Sequence, residues 1–189
     1  LSSIAELDYP RDRLRVIVVN DGSVDNTVSK VERFIQASPE LDIKLVNHEK
    51  NSGHKGAALN TGLQHVTTEF FACLDADSTV TKDSLRLLMR NFYNDKIAAV
   101  ISATKASNTH KFLEKLQRFD YIFAAYGRNL MSKINTLHVT PGVLSVYRTD
   151  VIKNIGYFDA ENITEDFEIA MRLHYNGYNI KMEPASLTY

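Results

Sequence analysis

Phe70-Phe71-Ala72-Cys73-Leu74-Asp75-Ala76-Asp77-Ser78 is the stretch that decides how this chain folds. An unbroken apolar run this short, closed by two carboxylates one residue apart, reads as a buried strand that surfaces at its C-terminal end. It delivers acid groups to the crevice in which open α/β sheets bind ligands. On extended backbone Asp75 and Asp77 flank one small residue and point the same way, and like charges that close call for a cation or a shared proton between them. A divalent metal carrying a phosphate ester supplies that cation, and hard oxygen ligands suit Mg2+ or Mn2+. The plainer alternative makes one Asp the cap of a helix starting near Lys82 and leaves the other solvated.

Working outward, 189 residues suit one domain over residues 1–189 with a sizeable core. A formal net charge of -1 provides no basic field for nucleic acid. The single Cys73 excludes a disulfide within the chain and reads as a buried structural thiol. No signal peptide is visible, and no apolar run approaches the roughly 18 residues of a membrane span. The chain opens on Leu1 rather than Met, which leads us to expect a soluble piece of a longer protein.

Upstream, Ile4, Ala5 and Leu7 read as the tail of a helix stopped before Tyr9-Pro10. The β-branched run Arg15 to Asn20 is expected as a strand buried on both faces, ending in Asn20-Asp21-Gly22-Ser23. A helix from about Asp25 to Ala37 carries Val28, Val31 and Ile35 on one face, and Ile43 to Val46 is a short strand. Asn51-Ser52-Gly53-His54-Lys55-Gly56 opens a small-residue helix through Leu63, where glycines permit close approach of a ligand or another element.

Downstream, Leu85, Leu88, Met89 and Phe92 mark a helix from about Thr81 to Asn94, and Ile97 to Ala103 is another apolar strand. This alternation argues for a mostly parallel sheet covered on both faces. From about His110 to Ile134 a long helical pattern mixes many apolar residues with Lys111, Lys115, Arg118, Arg128 and Lys133. Its apolar stripe is wider than a soluble partner requires, and its basic residues suit anionic lipid or a neighbouring helix. The alternative is an ordinary helix packed on the domain. Thr140-Pro141-Gly142 is a turn, Val143 to Tyr147 a strand, and Gly156-Tyr157-Phe158-Asp159 another turn. Thr164 can cap a helix with Glu165 and Asp166 in its first turn that stops at Asn176-Gly177, before a last strand near Asn179 to Met182.

Three acidic clusters thus stand at element boundaries: Asp21, the pair Asp75 and Asp77, and Glu165 with Asp166. Each has a structural explanation as a turn or helix-dipole residue. Together with Lys55 they read as one site. Asp21 would meet a nucleoside's polar edges, Lys55 a phosphate, the Asp pair a metal diphosphate, and Asp166 a proton. His48, His54 and His138 are further candidate donors, though lone histidines near loops are commonly incidental.

Val16-Ile17-Val18-Val19-Asn20-Asp21-Gly22-Ser23 with Asp25 and Thr27, then Asn51-Ser52-Gly53 and Lys55-Gly56-Ala57-Ala58-Leu59-Asn60-Thr61-Gly62, then Asp75-Ala76-Asp77-Ser78, then Thr164-Glu165-Asp166 resembles the family 2 glycosyltransferases, in the family's order and over essentially the whole chain. The Thr-Glu-Asp element looks most like the membrane-integrated polysaccharide synthases, the group of the cellulose, chitin, hyaluronan and poly-N-acetylglucosamine synthases. The resemblance implies an α/β, GT-A (Rossmann-like) fold, mostly parallel with helices on both faces and without the family's first strand. It implies inverting transfer from a nucleotide sugar, usually a UDP-sugar, with Mg2+ or Mn2+, onto a growing polysaccharide or lipid-linked acceptor. Asp21 and Gly22 would then belong to the nucleotide site, with Asp21 on the uracil. Asp75 would meet the ribose or sugar, Asp77 the metal and diphosphate, and Asp166, beside Glu165, would be the catalytic base.

The sequence departs from the family in three places. The opening strand with its Pro-x-Tyr-Asn-Glu type end is missing, the Gln-x-x-Arg-Trp element of processive members is absent, and His54 separates Gly53 from Lys55. Truncation on both sides is the simplest expectation. Transmembrane helices would then lie outside this chain, and the catalytic domain on the cytoplasmic face of the membrane. A non-processive transferase to lipid or protein is one rival reading, and a sugar-nucleotide-binding module without catalysis is another. Asp75-Ala76-Asp77-Ser78-Thr79 also fits the nucleophile motif of haloacid-dehalogenase-like phosphotransferases, but the later acidic pair of that family is missing, since Gly156 is followed by Tyr157.

Overall fold

The computed structural model describes residues 1–105 and 112–189. Helix α1 (Ser2–Ala5) leads to strand β1 (Arg15–Asp21), helix α2 (Thr27–Ala37) and strand β2 (Asp42–His48). β1 and β2 pair in parallel, from Arg15 opposite Asp42 to Asp21 opposite His48. Gly22, at φ 70°, makes the turn out of β1, and a Cβ there would lie 2.6 Å from the Lys50 carbonyl carbon, so only glycine fits.

Helix α3 (Lys55–Gln64) precedes strand β3 (Phe70–Cys73) and the short helix α4 (Ser84–Met89). Strand β4 (Ile97–Thr104), helix α5 (Phe112–Lys133), strand β5 (Ser145–Arg148), helices α6 (Thr149–Asn154) and α7 (Glu165–Tyr175) and strand β6 (Asn179–Thr188) complete the described order. The expected His110 and Lys111 at the head of α5 lie outside the described residues.

A four-stranded sheet runs β3-β5-β4-β6. β4 is parallel to β6, while β5 is antiparallel to both β3 and β4, so β3, β4 and β6 share one direction. β4 is buried from Ile97 to Ala103, as an unbroken apolar run demands. Ala99, Ile101 and Ala103 face one cluster with Leu63, Ile152, Ile169 and Leu173. Ile97 and Val100 face another with Leu85 and Leu88. Helices therefore cover both faces of this sheet, as the alternating pattern requires.

Two strands differ from the sequence expectation. β3 stands at the edge of its sheet, with Phe70 and Phe71 half-buried and Ala72 exposed. Its apolar character serves rings rather than two sheet faces: Phe70 lies 4.7 Å from Phe92 and under the Arg148 guanidinium at 5.0 Å, while Phe71 stacks on Tyr147 at 5.2 Å. β1 is half-buried through Val16 to Val19, not buried on both faces. It has one ladder partner, β2, and no hydrogen bond joins it to the four-stranded sheet among the described residues.

α4 is shorter than its apolar spacing suggested; Met89 and Phe92 still pack on the core, but Phe92 does so beyond the helix end. β6 is longer, because it carries Pro184 where its register with β4 jumps from Ser102 opposite Glu183 to Ala103 opposite Leu187. Thr164 sits at the N-cap of α7 without capping it; its hydroxyl donates to Asn162 Oδ1 at 3.1 Å. Among the described residues no helix is long and apolar enough to cross a membrane.

Candidate functional site

The carboxylate of Asp75 is delivered by the end of β3, but not on extended backbone. The strand stops at Cys73, and Asp75 to Ser78 form a turn closed by the Ser78 N–H donating to Asp75 O at 3.1 Å. Asp75 and Asp77 therefore do not share a strand face. Asp75 turns inward to pair with Lys55 Nζ, whereas Asp77 is exposed and has no side-chain partner among the described residues. Below them the Cys73 thiol is buried and pushed up to about 12, so it stays protonated and structural.

Lys55 opens α3 and stands between two acids, since its Nζ also lies 3.6 Å from Glu165 Oε1 at the head of α7. Burial pulls the ammonium down, but the hydrogen bond and charge of Asp75 and the charge of Glu165 outweigh it, and the pKa is raised. Lys55 is thus a fixed cation at neutral pH. The remainder of α3 is anchored to the loop before α7. The Asn60 side-chain amide donates to Phe158 O at 2.8 Å and accepts the Phe158 N–H at 2.9 Å. A Cβ on Gly56 would lie 2.5 Å from Asp159 O. Gly56 therefore admits another element rather than a ligand.

The segment Thr140-Pro141-Gly142 ties these groups to Asp166. Gly142 O accepts the Asp75 N–H at 2.8 Å, while the Thr140 N–H and hydroxyl both donate to Asp166 O, at 3.1 and 3.0 Å. A Cβ on Gly142 would overlap Lys55 Nζ and lie 2.7 Å from Asp75 Oδ2. Lys55, Thr140, Gly142, Glu165 and Asp166 line one small cleft over Cys73 and Tyr147. The Asp166 carboxylate is half-buried and accepts its neighbour's Phe167 N–H at 2.8 Å. His138 meets the Phe167 ring edge-on at 5.8 Å, which keeps this histidine beside the cleft.

Gly142→Ala tests that arrangement. The atoms in its way are side-chain ends, so the fold survives, but Lys55 and Asp75 are forced apart. We expect ligand affinity at the Lys55 end to fall about tenfold, the worth of one charge-assisted hydrogen bond, with an unchanged melting temperature. Calorimetry and thermal unfolding on the full-length protein measure both, and a wild-type affinity would disprove the dependence on Gly142.

Asp21, at the end of β1, is not among the residues lining that cleft. Its Oδ1 takes His48 Nδ1 at 2.7 Å and the Ser52 N–H at 3.0 Å, and its Oδ2 takes the Ser52 hydroxyl at 2.7 Å. Burial raises its pKa, yet the hydrogen bonds from His48 and Ser52 prevail and the carboxyl is held below its usual range. His48 Nε2 continues to Thr61 Oγ1 at 2.9 Å and so roots Asp21 in α3. His54, by contrast, is exposed at the α3 N-cap and caps nothing with its side chain.

Sequence reasoning named His48 only as a further candidate donor and missed Thr140, Gly142 and Arg128 as contributors. His48 is the register partner of Asp21, a relation that exists only once β1 and β2 are paired. Thr140 and Gly142 were legible as a turn but not as the bridge between two carboxylates. Arg128, expected among lipid-facing basic residues, is half-buried; burial lowers its pKa and the nearby Asp166 charge opposes that.

As to a metal, no group of three His, Cys, Asp or Glu side chains could hold an ion among the described residues. Asp75 and Asp77 offer hard oxygens from one turn, a donor set that fits Mg2+ or Mn2+ shared with phosphate oxygens and water rather than a protein cage.

Comparison with known proteins agrees with this geometry. Residues 1–156 match the model of glycosyl transferase family 2. The whole chain aligns with the poly-beta-1,6-N-acetyl-D-glucosamine synthase of Staphylococcus epidermidis at 34% identity, over 45% of that protein. The synthase of Staphylococcus aureus strain COL aligns at 31%, over the same share. Glu165 and Asp166 fall past the family match but inside the span shared with these synthases. The chain spans less than half the length of the curated relatives it matches. Among solved structures, the mannosyltransferase PcManGT of Pyrobaculum calidifontis, in complex with GDP-Man and Mn2+, superposes with a TM-score of 0.86 at 27% identity, covering 99% of this chain and 50% of that one. S. aureus TarS 1-349 in complex with UDP has the same fold, with a TM-score of 0.71 at 21% identity, over 100% of this chain and 54% of its own. The GT-A architecture expected from the motifs is the one observed, and with its motifs in order, the chain belongs to glycosyl transferase family 2.

Proposed function

We propose that residues 1–189 form the catalytic unit of an inverting glycosyltransferase that moves N-acetylglucosamine from a UDP-sugar to a hydroxyl of a growing, membrane-associated polysaccharide. The observation that carries this reading is the Thr140 to Gly142 bridge. It hydrogen-bonds to the main chains of both Asp75 and Asp166, and Lys55, the cation paired with Asp75, lines the same cleft as Asp166, which supports transfer between a diphosphate and a hydroxyl. The identity with two poly-N-acetylglucosamine synthases supports the sugar and the polymer.

In this mechanism the Asp166 carboxylate takes the proton of the acceptor hydroxyl as that oxygen attacks the anomeric carbon. Attack comes from the side opposite the diphosphate, whose bond to carbon breaks, so the configuration inverts. Lys55 meets the charge that grows on the departing diphosphate, and Glu165 holds Lys55 in place from the α7 side. Asp21 orients the base, with Gly22 keeping that turn tight. Asp75 orients the ribose or sugar, and Asp77 together with Asp75 would hold the cation. A divalent ion, Mg2+ or Mn2+, supplies neutralisation of the diphosphate when bound. The full-length protein would place this unit at the cytoplasmic face of a membrane through segments outside the chain.

A second reading, a GDP-sugar donor, is favoured by the superposition on the mannosyltransferase. The test is incorporation of radiolabelled sugar into polymer by the full-length protein in membranes, with UDP-N-acetylglucosamine and GDP-mannose each supplied with Mg2+, Mn2+ or a chelator. Metal-dependent incorporation from the UDP-sugar alone is the expected result. Incorporation from GDP-mannose, or from neither, overturns the donor assignment.

A further inference from the structure

The Asp21 carboxylate is nearly saturated before any ligand arrives. A carboxylate offers roughly four lone-pair sites, two on each oxygen. Oδ1 uses both of its sites, on the His48 Nδ1–H at 2.7 Å and the Ser52 N–H at 3.0 Å. Oδ2 uses one, on the Ser52 hydroxyl at 2.7 Å; the other acceptor near that hydroxyl, His54 O, is uncharged and more distant at 3.2 Å. Hydrogen bonding holds this carboxyl below its usual range, so it is ionised and only accepts, and His48 Nδ1 must carry the shared proton. Among the described residues one acceptor site is left over, on Oδ2, and the side chain keeps 21% of its surface exposed for a ligand to reach it.

His48 is fixed in this arrangement from two sides. The β1–β2 register sets it opposite Asp21, and its Nε2 is tied to Thr61 Oγ1 on α3 at 2.9 Å. What such a carboxylate can read depends on the edge a base presents. Uracil shows one donor, N3–H, between two carbonyls. Guanine shows two adjacent donors, N1–H and the N2 amino group, which a carboxylate grips with one oxygen each. A carboxylate whose Oδ1 is full satisfies the first edge and leaves one N–H of the second unpaired, the kind of mismatch that discriminates strongly. On the reading that Asp21 orients the base, we propose that His48 is a specificity-determining residue of the nucleotide site. By occupying Asp21 Oδ1 it leaves a single acceptor, which takes the uracil N3–H and rejects guanine. His48 itself touches no ligand and acts through Asp21.

UDP and GDP carry the same diphosphate, so the ratio of their affinities separates the base from the metal and the phosphates. Calorimetric titration of each into the full-length protein with Mn2+ measures that ratio for wild type, His48→Ala, His48→Asn and Asp21→Ala. His48→Ala opens a site on Oδ1 beside the open one on Oδ2, the pair that guanine needs. The preference for UDP then falls at least about tenfold, the worth of one hydrogen bond to a charged group. His48→Asn sets an amide N–H near the place of Nδ1 while cutting the tie to Thr61, and it keeps the wild-type ratio. Should His48→Ala fail to fold, His48→Phe fills the ring's volume without a donor and carries the same expectation. Equal ratios in the Ala and Asn variants overturn the proposal, because His48 then acts through Thr61 and α3 alone. Wild-type protein that binds GDP as tightly as UDP overturns it as well. An Asp21→Ala protein that keeps the full preference for UDP overturns the reading of Asp21 as the base's partner. A ratio that collapses in Asp21→Ala but not in His48→Ala overturns the role of His48 and leaves that of Asp21 standing.

Discussion

Asp166→Asn lowers turnover of the full-length protein by about 10²- to 10⁴-fold, the usual worth of a positioned general base, and leaves donor affinity at its wild-type value. The asymmetry follows from the way Asp166 is held. Its main-chain carbonyl, not its carboxylate, receives the two bonds from Thr140, so removing the charge does not disturb the bridge to Gly142 and Asp75. The amide oxygen of Asn keeps the Phe167 N–H bonded, and the helix start is preserved. What the variant lacks is a group able to take a proton. Single-turnover rates together with UDP titration measure the two halves of the claim. A loss of donor affinity equal to that of Asp77→Asn would sink the assignment of separate roles.

Asp77→Asn gives the complementary result. Metal-dependent donor binding falls by about a hundredfold, roughly 3 kcal/mol, as expected when one of the few protein oxygens on the cation is lost. Binding of UDP without metal is unchanged. Stability stays within about 0.5 kcal/mol of wild type, because Asp77 is exposed and its side chain has no partner to lose among the described residues. Calorimetric titration of UDP with and without Mn2+ decides it. A variant that retains the full metal effect would move the cation to Asp75 alone.

The legible parts of the fold are those in which a residue's periodicity is its function. β4 was readable because nothing but burial on both faces keeps seven consecutive apolar or small residues from Ile97 to Ala103. α7 was readable because acids open it and Gly177 closes it at φ 80°. β3 misled because rings can be sheltered by other rings and an arginine at a sheet edge, which in sequence looks like a central strand. The extent of β6 was hidden by Pro184, whose missing N–H is tolerated only because the ladder skips there.

For the site, the acids were visible one at a time, but their division was not. That Asp75 faces Lys55 while Asp77 faces water depends on a turn closed by Ser78. That Glu165 serves Lys55 depends on α3 and α7 meeting end to end, a long-range contact that carries no local signal. Arg128 shows the same limit on a helix. Its residue type suits a lipid-facing flank, yet its position puts it on the face shared with Ser132, four residues on.

The thin protein complement proposed for a cation, two carboxylates with one already engaged by an ammonium, has a thermodynamic corollary. Neither ion nor nucleotide completes the other's environment alone, so each raises the other's occupancy, and by linkage the two factors are equal. A cell can therefore govern such a transferase through either concentration. At the proposed metal position, scarcity of the nucleotide sugar would empty the site, and the pocket would not sequester metal between turnovers.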